Sequence, residues 1–301
     1  MLRLDHVSKS YRVGTFGGRE LAAVRDVSLE VAPGEVVSLI GESGSGKSTI
    51  GRMILRLTAV TSGTISFDGT DISGFKGARL RAYYADVQGV FQDPFSSYNP
   101  VFKTDRALEL VRDTYFPRLG ERAWRDKVEA SLAAVRLDPG QVLGKYPHQL
   151  SGGQLQRLLV ARALLLDIRL LVADEIISML DASTRIDVLN LLGDLKARGL
   201  GILFITHDLS LGNYISDRAV ILRRGVVVEM GATDRVFERP RHPYTRALLA
   251  SVPRLHRKWD RADWDRGPGP GAPDGDGHGG WSALTQVEDD HFVRMPAGEG
   301  G

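Results

Sequence analysis

Residues Gly41–Thr49 read GESGSGKST, which satisfies the pattern G-x-x-x-x-G-K-S. The apolar segment EVVSLI comes directly before this stretch, after a turn signal at Pro33-Gly34. The apolar residues that follow it recur at the spacing of one helical face: Ile50, Met53, Ile54 and Leu57. A strand, a glycine-rich loop and a helix in this order predict a phosphate-binding loop in an α/β fold, and therefore a site for a nucleoside triphosphate.

The residues of this loop have distinct expected roles. Glycine lets the backbone amides fold around a β-phosphate, where the helix N-terminus adds its partial positive charge. We expect Lys47 to reach the β- and γ-phosphate oxygens and Ser48 to supply a hydroxyl ligand to Mg²⁺. The predicted nucleotide-binding residues are Gly41, Glu42, Ser43, Gly44, Ser45, Gly46, Lys47, Ser48 and Thr49. The alternative is a glycine-rich turn with a chance Lys-Ser, and the flanking strand and helix argue against it.

Two carboxylates stand at the end of a later apolar segment, LLVADE. A phosphate-bound Mg²⁺ needs such a carboxylate at a neighbouring strand end, and side chains alternate along a strand. We therefore expect Asp174 to serve the metal and Glu175 to act as general base for the attacking water. His207 follows the next apolar segment, LFITH, and is predicted at the same sheet edge, within reach of the γ-phosphate. Taken alone, two such carboxylates are more often a solvated strand end and a single histidine is more often structural or merely exposed, but the phosphate-binding loop upstream argues against these alternatives.

A second glycine motif, LSGGQLQR, occupies Leu150–Arg157. Ser151 and Gln154 have the spacing of a capping box, which predicts the start of a helix. The apolar face of this helix would include Leu155, Leu158 and Leu159. Its exposed first-turn amides would attract a phosphate, yet the first loop already surrounds the nucleotide of the same chain.

The segments around these motifs extend the α/β pattern. LRLDHVSKSYRV and VSLEV read as short N-terminal strands. Between about residues 93 and 160 the pattern is largely helical and interrupted by prolines, which predicts an inserted helical subdomain. IRLLVAD and LGILFITH have the continuous apolar character of parallel strands buried on both faces. The residues between them mark an amphipathic helix: Val188, Leu191, Leu192 and Leu195.

The C-terminal part changes in composition. RAVILRRGVVVEMG predicts a hairpin with its turn at Arg224-Gly225, and TDRVFERPRHPYTRALLASVP predicts a short helical appendage. A disordered linker is predicted for RGPGPGAPDGDGHGG, which is too rich in glycine and proline to pack. Two possibilities stay open for WSALTQVEDDHFVRM: a small docked strand or no regular structure. We predict a nucleotide-binding domain at 1–240 with its helical subdomain at about 93–160, an appendage at 241–256, and a disordered or loosely docked tail at 257–301.

Composition narrows the possible functions. The 301 residues contain 39 Lys and Arg against 37 Asp and Glu, so the net charge of +2 carries no signature of nucleic-acid binding. The chain has no cysteine, which excludes disulfides, thiolate metal sites and thiol nucleophiles. MLRLDHVSKSYRV lacks the apolar region of a secretory signal, and no apolar run approaches the roughly 20 residues that span a bilayer. We expect any membrane contact to be made through a partner.

Six motifs in fixed order resemble the ATP-binding cassette (ABC) ATPase family. They are GESGSGKST, VFQDP, LSGGQLQR, LLVADE, SMLD and ITHD, and the resemblance covers residues 2–253. It implies an α/β P-loop ATPase core with a mixed sheet, an N-terminal antiparallel β subdomain and an inserted helical subdomain. It also implies hydrolysis of ATP with Mg²⁺ by two cassettes in a head-to-tail dimer. The second glycine motif would then close on the ATP held by the partner subunit.

The resemblance implies further site residues. Gln92 would sense Mg²⁺ and the attacking water and couple them to a membrane partner. Asp181 would lie at the dimer interface, and Tyr11 would stack on adenine, with a core or turn tyrosine as the alternative. The predicted contacts to the partner's γ-phosphate are Ser151, Gly152, Gly153 and Gln154.

RHPYTRALLASVP and FQDPFSSYNP resemble the ATPases of oligopeptide and dipeptide importers. The resemblance implies two transmembrane permeases, an extracellular substrate-binding protein and a second ATPase subunit, which is either a non-identical homologue or a second copy of this chain. It places the chain at the cytoplasmic face of the cell membrane, as a peripheral subunit that contacts the membrane only through the permeases. Nucleic acid is not an expected partner.

Three departures qualify this resemblance. The absence of cysteine excludes the iron–sulfur cluster that many members carry, and Ile176 replaces the usual proline after the catalytic glutamate. Tyr98 and Val101 stand where peptide importers more often have leucine and arginine. The segments FQDPFSSYNPVFKTDR and SMLDASTRIDVLNLL are more similar to a subset that imports oligosaccharides, so both peptides and oligosaccharides stay open as cargo. The alternative function is a soluble ABC ATPase of DNA repair or translation, which would need a long coiled-coil insertion or a second cassette. An export ATPase is disfavoured by the HPYT appendage.

Overall fold

The computed structural model describes residues 1–13, 19–251 and 283–294. The strands are β1 (Leu2–Val13), β2 (Arg19–Val31), β3 (Val36–Ile40), β4 (Ser62–Phe67), β5 (Thr70–Asp71), β6 (Val87–Val90), β7 (Leu170–Asp174), β8 (Gly201–Thr206), β9 (Arg218–Arg223), β10 (Val226–Ala232), β11 (Thr285–Glu288) and β12 (His291–Val293). The helices are α1 (Lys47–Ile54), α2 (Gly77–Asp86), α3 (Asp105–Tyr115), α4 (Glu121–Ala134), α5 (Pro139–Val142), α6 (Gly152–Leu164), α7 (Ala182–Ala197), α8 (Leu209–Ile215), α9 (Thr233–Glu238) and α10 (Pro243–Ala250).

A mixed sheet forms the centre of the molecule. Within the described ranges its strand order is β11-β12-β10-β9-β3-β8-β7-β6. Strands β6, β7, β8, β3 and β9 are parallel neighbours, whereas β10, β12 and β11 continue the sheet in antiparallel fashion. The carboxyl ends of the parallel strands therefore meet at one edge, which is where ligands bind in open α/β sheets.

The central sheet is buried on both faces. Every residue of β7 is buried, and alternate residues enter different clusters. Leu171 and Ala173 pack with the helices that follow β6, while Leu170 and Val172 pack with α1 and the N-terminal strands. This two-sided burial explains the continuous apolar run that identified the strand in the sequence.

The N-terminal strands form a separate antiparallel sheet with the order β2-β1-β4-β5. Its inner residues, Leu2, Leu4 and Ile65 among them, belong to the same cluster as the buried face of α1. The predicted fold class, with a mixed sheet, an N-terminal antiparallel sheet and inserted helices, is confirmed.

Helix α1 ends earlier than the sequence pattern suggests. Ile50, Met53 and Ile54 are buried as predicted, but Leu57 is 60% exposed. The chain leaves the helix after Ile54 and Arg56 adopts a left-handed φ of 56°, which takes Leu57 off the apolar face. The prediction is wrong for Leu57.

Helices α3 to α6 lie between β6 and β7 and share one apolar cluster. The predicted apolar faces of α6 and α7 are confirmed, since all their named members are buried: Leu155, Leu158, Leu159, Val188, Leu191, Leu192 and Leu195. None of the described helices combines the length and the apolar character needed to cross a bilayer.

The C-terminal elements extend the central sheet. Strands β9 and β10 form the predicted hairpin, with Arg224 and Gly225 in left-handed conformations at the turn. Residues 283–294 form a second hairpin, β11–β12, which pairs with β10 and buries His291 and Val293. The segment RGPGPGAPDGDGHGG, predicted to be disordered, lies outside the described residues.

Candidate nucleotide-binding site

The phosphate-binding loop connects β3 to α1, which begins at Lys47. Gly46 has a φ of 105°, and a Cβ atom there would lie 2.4 Å from the carbonyl oxygen of Ala23. A Cβ atom at Gly41 would lie 2.1 Å from the carbonyl oxygen of Leu222. Both positions therefore require glycine. No side chain caps the start of α1, so its first amides remain available for a phosphate.

The side chain of Lys47 lies within the curve of the phosphate-binding loop. Its Nζ donates to the carbonyl oxygens of Gly41 at 2.7 Å and Glu42 at 2.8 Å. Burial lowers the pKa of Lys47, while the nearby carboxylates of Glu175 and Asp174 act in the opposite direction. The loop thus holds the ammonium group where the phosphates of a nucleotide would lie.

Ser48 and Asp174 meet where α1 approaches the end of β7. The Ser48 hydroxyl donates to Asp174 Oδ1 at 3.2 Å. Burial raises the pKa of Asp174, and the hydrogen bond from Ser48 opposes this shift. A hydroxyl and a carboxylate are oxygen ligands of the kind that Mg²⁺ takes. These two ligands fit a Mg²⁺ whose remaining positions are filled by phosphate and water. The described residues contain no cluster of three or more His, Asp or Glu that could hold a metal without such additional ligands.

Glu175 does not continue strand β7, so the alternation of side chains along a strand does not explain its position relative to Asp174. Asp174 ends β7, whereas Glu175 lies beyond the strand in a left-handed conformation with a φ of 51°. Its amide donates to the carbonyl oxygen of Ile205 at 2.9 Å, which holds this turn against β8. A left-handed glutamate is uncommon and costs on the order of 1 kcal/mol or more. The prediction that alternation along a strand separates the two carboxylates is therefore wrong in its reason: the left-handed turn at Glu175 sets its position instead.

His207 and Glu175 lie together at the carboxyl edge of the sheet, as predicted. His207 Nδ1 is 3.4 Å from Glu175 Oε1. The Glu175 side chain is 18% exposed and that of His207 is 56% exposed. Both groups are thus accessible from the same cleft.

A cleft of about 690 Å³ lies over the phosphate-binding loop. Its lining residues are Ala23, Glu42, Ser43, Gly44, Gly46, Lys47, Ser48, Thr49, Gln92, Glu175, His207 and Leu248. The fold therefore brings most of the predicted loop residues together with Gln92, Glu175 and His207. Sequence reasoning missed Ala23 and Leu248, because no motif links these two residues to a loop about 20 and 200 residues away.

Four residues predicted to bind the ATP or Mg²⁺ of this chain do not line this cleft: Tyr11, Gly41, Ser45 and Asp174. Tyr11 is on β1 with 37% of its surface exposed, and Lys9 Nζ is 4.9 Å from its ring centre. This exposure does not fit the alternative of a core tyrosine. Stacking of Tyr11 on adenine stays a prediction.

The second glycine motif begins α6 with the predicted capping box, which is confirmed. Ser151 Oγ accepts from the Gln154 amide at 3.2 Å, and Gln154 Oε1 accepts from the Ser151 amide at 2.9 Å. Gly153 is buried, and a Cβ atom there would lie 2.4 Å from Thr184 Cγ2. None of the residues Ser151, Gly152, Gly153 and Gln154 lines the cleft.

Asp181 caps α7, a role that the sequence analysis did not assign. Its Oδ1 accepts from the Thr184 amide at 3.0 Å and from the Ser183 hydroxyl at 2.6 Å. These hydrogen bonds, that from Ser183 foremost, lower the pKa of Asp181. Thr184, whose amide Asp181 accepts from, also packs against Gly153. The start of α7 and the second glycine motif are therefore adjacent within this chain.

The central sheet, the uncapped helix start and the carboxylates at the sheet edge define a P-loop nucleoside triphosphatase. The sequence pattern of the ABC transporter family matches residues 24–178, and that of the oligopeptide/dipeptide transporter C-terminal region matches residues 228–277. The chain belongs to the ABC transporter family of ATPases, in the branch that carries this C-terminal region. ATP hydrolysis with Mg²⁺ is the activity of this type of cassette.

Individual relatives agree with this assignment. The oligopeptide transport ATP-binding protein OppF of Salmonella typhimurium is 41% identical over 236 residues, which cover 78% of this chain and 70% of that protein. OppF of Streptococcus mutans is 40% identical over 274 residues, which cover 87% of this chain and 88% of that protein. The dimeric ATP-binding cassette MJ0796, solved in a post-hydrolysis state with ADP and Pi, superimposes with a TM-score of 0.69 at 27% identity, over 77% of this chain and 99% of that one. These matches give no support to a function in DNA repair or translation.

Proposed function

We propose that this chain is the ATP-hydrolysing motor subunit of an importer that moves oligopeptides. The observation that carries the proposal is the cleft that joins the phosphate-binding loop to Gln92, Glu175 and His207, in a chain that also has the oligopeptide/dipeptide transporter C-terminal region. Its partners are a second, non-identical ATPase subunit, two transmembrane permeases and an extracellular substrate-binding protein. It works at the cytoplasmic face of the membrane and contacts the membrane through the permeases.

The residues of the cleft have separate tasks in hydrolysis. Lys47 binds the β- and γ-phosphate oxygens, because the loop holds its ammonium group at that point. Ser48 and Asp174 would hold Mg²⁺, which neutralises negative charge on the phosphates when it is bound. Their oxygen atoms are the hard ligands that this ion prefers.

Glu175 accepts the proton of the attacking water. The water oxygen bonds to the γ-phosphorus while the bond from that phosphorus to the bridging oxygen breaks. His207 lies beside the Glu175 carboxylate and donates to the γ-phosphate. Gln92 follows β6, at the start of the segment that leads to the helical subdomain, and orients the attacking water in the cleft.

Two copies of the cassette complete each site. The second glycine motif contacts the ATP of the partner subunit and does not line the cleft of its own chain. The residues that make this contact are Ser151, Gly152, Gly153 and Gln154. Asp181 lies at the same interface, next to the second glycine motif through Thr184. The dimeric state of the ATP-binding cassette MJ0796 supports this arrangement.

The choice of peptides over oligosaccharides follows from the relatives, several of which are named for oligopeptide transport. The oligosaccharide alternative rested on the similarity of two segments to sugar-importing members: FQDPFSSYNPVFKTDR, which contains Tyr98 and Val101, and SMLDASTRIDVLNLL. Cargo recognition belongs to the binding protein and the permeases.

Purification of the tagged chain with its membrane partners tests this proposal. We expect two permeases and one different ABC ATPase in the complex, and a binding protein that takes up oligopeptides in isothermal titration calorimetry. Binding of oligosaccharides but not peptides would replace the cargo assignment. A chain that purifies from membranes with no permease would overturn the importer assignment.

A further inference from the structure

Helix α10, which contains the HPYT sequence, lies against the phosphate-binding loop. The Tyr244 side chain is buried, and its hydroxyl oxygen accepts from the backbone amide of Glu42 at 3.4 Å. Leu248 lies one helical turn later on the same face and lines the nucleotide cleft. The C-terminal region therefore contributes Leu248 to the lining of the proposed ATP site and contacts the loop through Tyr244.

The start of α10 is fixed by a fully buried carboxylate. Glu229 Oε1 accepts from the amide of Arg241 at 2.7 Å, and Glu229 Oε2 accepts from the amide of His242 at 3.1 Å. The His242 ring then caps the helix, since its Nδ1 accepts from the amide of Tyr244 at 3.0 Å. Glu229 is part of β10, so the sheet determines where Tyr244 stands relative to the loop.

The β11–β12 hairpin reaches the same carboxylate from the other side. His291 Nε2 is 2.8 Å from Glu229 Oε1, and both side chains are fully buried. Glu288 forms ion pairs with Arg235, at 2.9 Å, and with Arg241. The hairpin thereby contacts α9 and the residues just before α10, although it lies about 50 residues away in sequence.

We infer that Tyr244 is a positioning residue for the phosphate-binding loop, and that the β11–β12 hairpin acts through α10 to hold it there. An acceptor for the Glu42 amide limits the conformations of the loop before ATP binds, so less ordering remains to be done on binding. Burial raises the pKa of Tyr244, so its hydroxyl stays neutral near pH 7. This inference rests on the proposed nucleotide site.

The Tyr244→Phe variant removes only the hydroxyl oxygen. In the full chain we expect about a threefold rise in the Kd of a fluorescent ATP analogue with Mg²⁺, and a similar rise in the KM for ATP in the assembled transporter, with kcat changed less than twofold. Tyr214→Phe is the matched control, because its exposed hydroxyl bonds to Asn190 outside the cleft. An unchanged Kd and KM in Tyr244→Phe would overturn the inference, whatever happens to the Tm.

The role of the hairpin is tested with Glu288→Ala, which removes surface ion pairs and leaves the buried residues in place. We expect a rise of about 1.5- to 2-fold in the Kd, and no further rise when the substitution is added to Tyr244→Phe, because both act along one path. Equal effects of Glu288→Ala in the two backgrounds would show that the hairpin does not act through Tyr244.

The Lys47→Ala variant separates this inference from the assignment of the nucleotide site itself. If that variant binds the analogue with normal affinity, the site assignment has failed.

Discussion

The chain contains two glycine-containing helix starts, at α1 and at α6, and they are built in opposite ways. The start of α1 has no side-chain cap, has a left-handed glycine at position 46, and lies under a cleft lined by catalytic candidates. The start of α6 is closed by a reciprocal capping box between Ser151 and Gln154, and it lies outside that cleft.

The difference shows what each helix start can do in a single chain. Uncapped amides at α1 lack partners until a phosphate arrives, so ATP binding satisfies them. At α6 the side chains already satisfy the Gln154 amide and the Ser151 amide, so this end is stable without a ligand. In the proposed function, the start of α1 binds the ATP of its own chain and the start of α6 contacts the ATP of a partner subunit.

The largest expected effect concerns the chemistry at α1. In Glu175→Gln we expect ATP binding to persist and turnover to fall by about 1000-fold, since the general base is lost. Stopped-flow or steady-state phosphate release measures the turnover. Glu109→Gln on the exposed face of α3 is the control, and its rate should stay unchanged. Full turnover in Glu175→Gln would remove this residue from its assigned role.

Loss of the Lys47 ammonium group should weaken ATP binding to the lone chain by about 100-fold, because charged hydrogen bonds to phosphate are lost. A fluorescence titration with an ATP analogue gives the Kd. The exposed Lys76, at the start of α2, provides the matched control in Lys76→Ala. Equal affinities in the two variants would mean that α1 is not the primary ATP site.

A bulky charge at the other helix start should separate binding from turnover. In Ser151→Arg we expect turnover to fall by about 30-fold, as the surface that meets the partner is blocked, while the Kd of the lone chain changes less than twofold. If the lone chain lost affinity instead, α6 would act on its own nucleotide and the contrast between the two helix starts would disappear.

The last expected effect is on folding stability and not on binding or turnover. Gly46→Ala should reduce the free energy of unfolding by about 2 kcal/mol or more, because the added Cβ meets a carbonyl oxygen at a left-handed position. Gly152→Ala should change it by less than about 0.5 kcal/mol, since the nearest atoms to its Cβ are 4.0 Å away. Urea unfolding of both variants compares them directly, and similar losses would show that the two glycines are equally constrained.

The sequence was most informative where local pattern and function coincide. The loop at 41–49, the capping box at Ser151 and the strand that ends at Asp174 follow from spacing and periodicity, which require only neighbouring residues. The left-handed turn at Glu175 was not predictable, because the amide bond to Ile205 that holds it comes from another strand. Contacts between distant segments determine such features.

The C-terminal contribution to the site was also missed for this reason. Tyr244 and Leu248 reach the phosphate-binding loop across about 200 residues of sequence, and no spacing rule connects them to it. His291 lies in a segment for which the sequence left both a docked strand and no structure open. Its burial against Glu229 is a tertiary contact that only the fold reveals.

The dependence of ATP hydrolysis on the concentration of this chain tests the central claim most directly. Phosphate release per molecule should be measured alongside the molecular mass in solution, with ATP saturating throughout. We expect the rate per molecule to fall toward zero as the chain is diluted to monomers, although these monomers still bind ATP. A constant rate per molecule in samples that are demonstrably monomeric would contradict the account, because the cleft of one chain would then be sufficient.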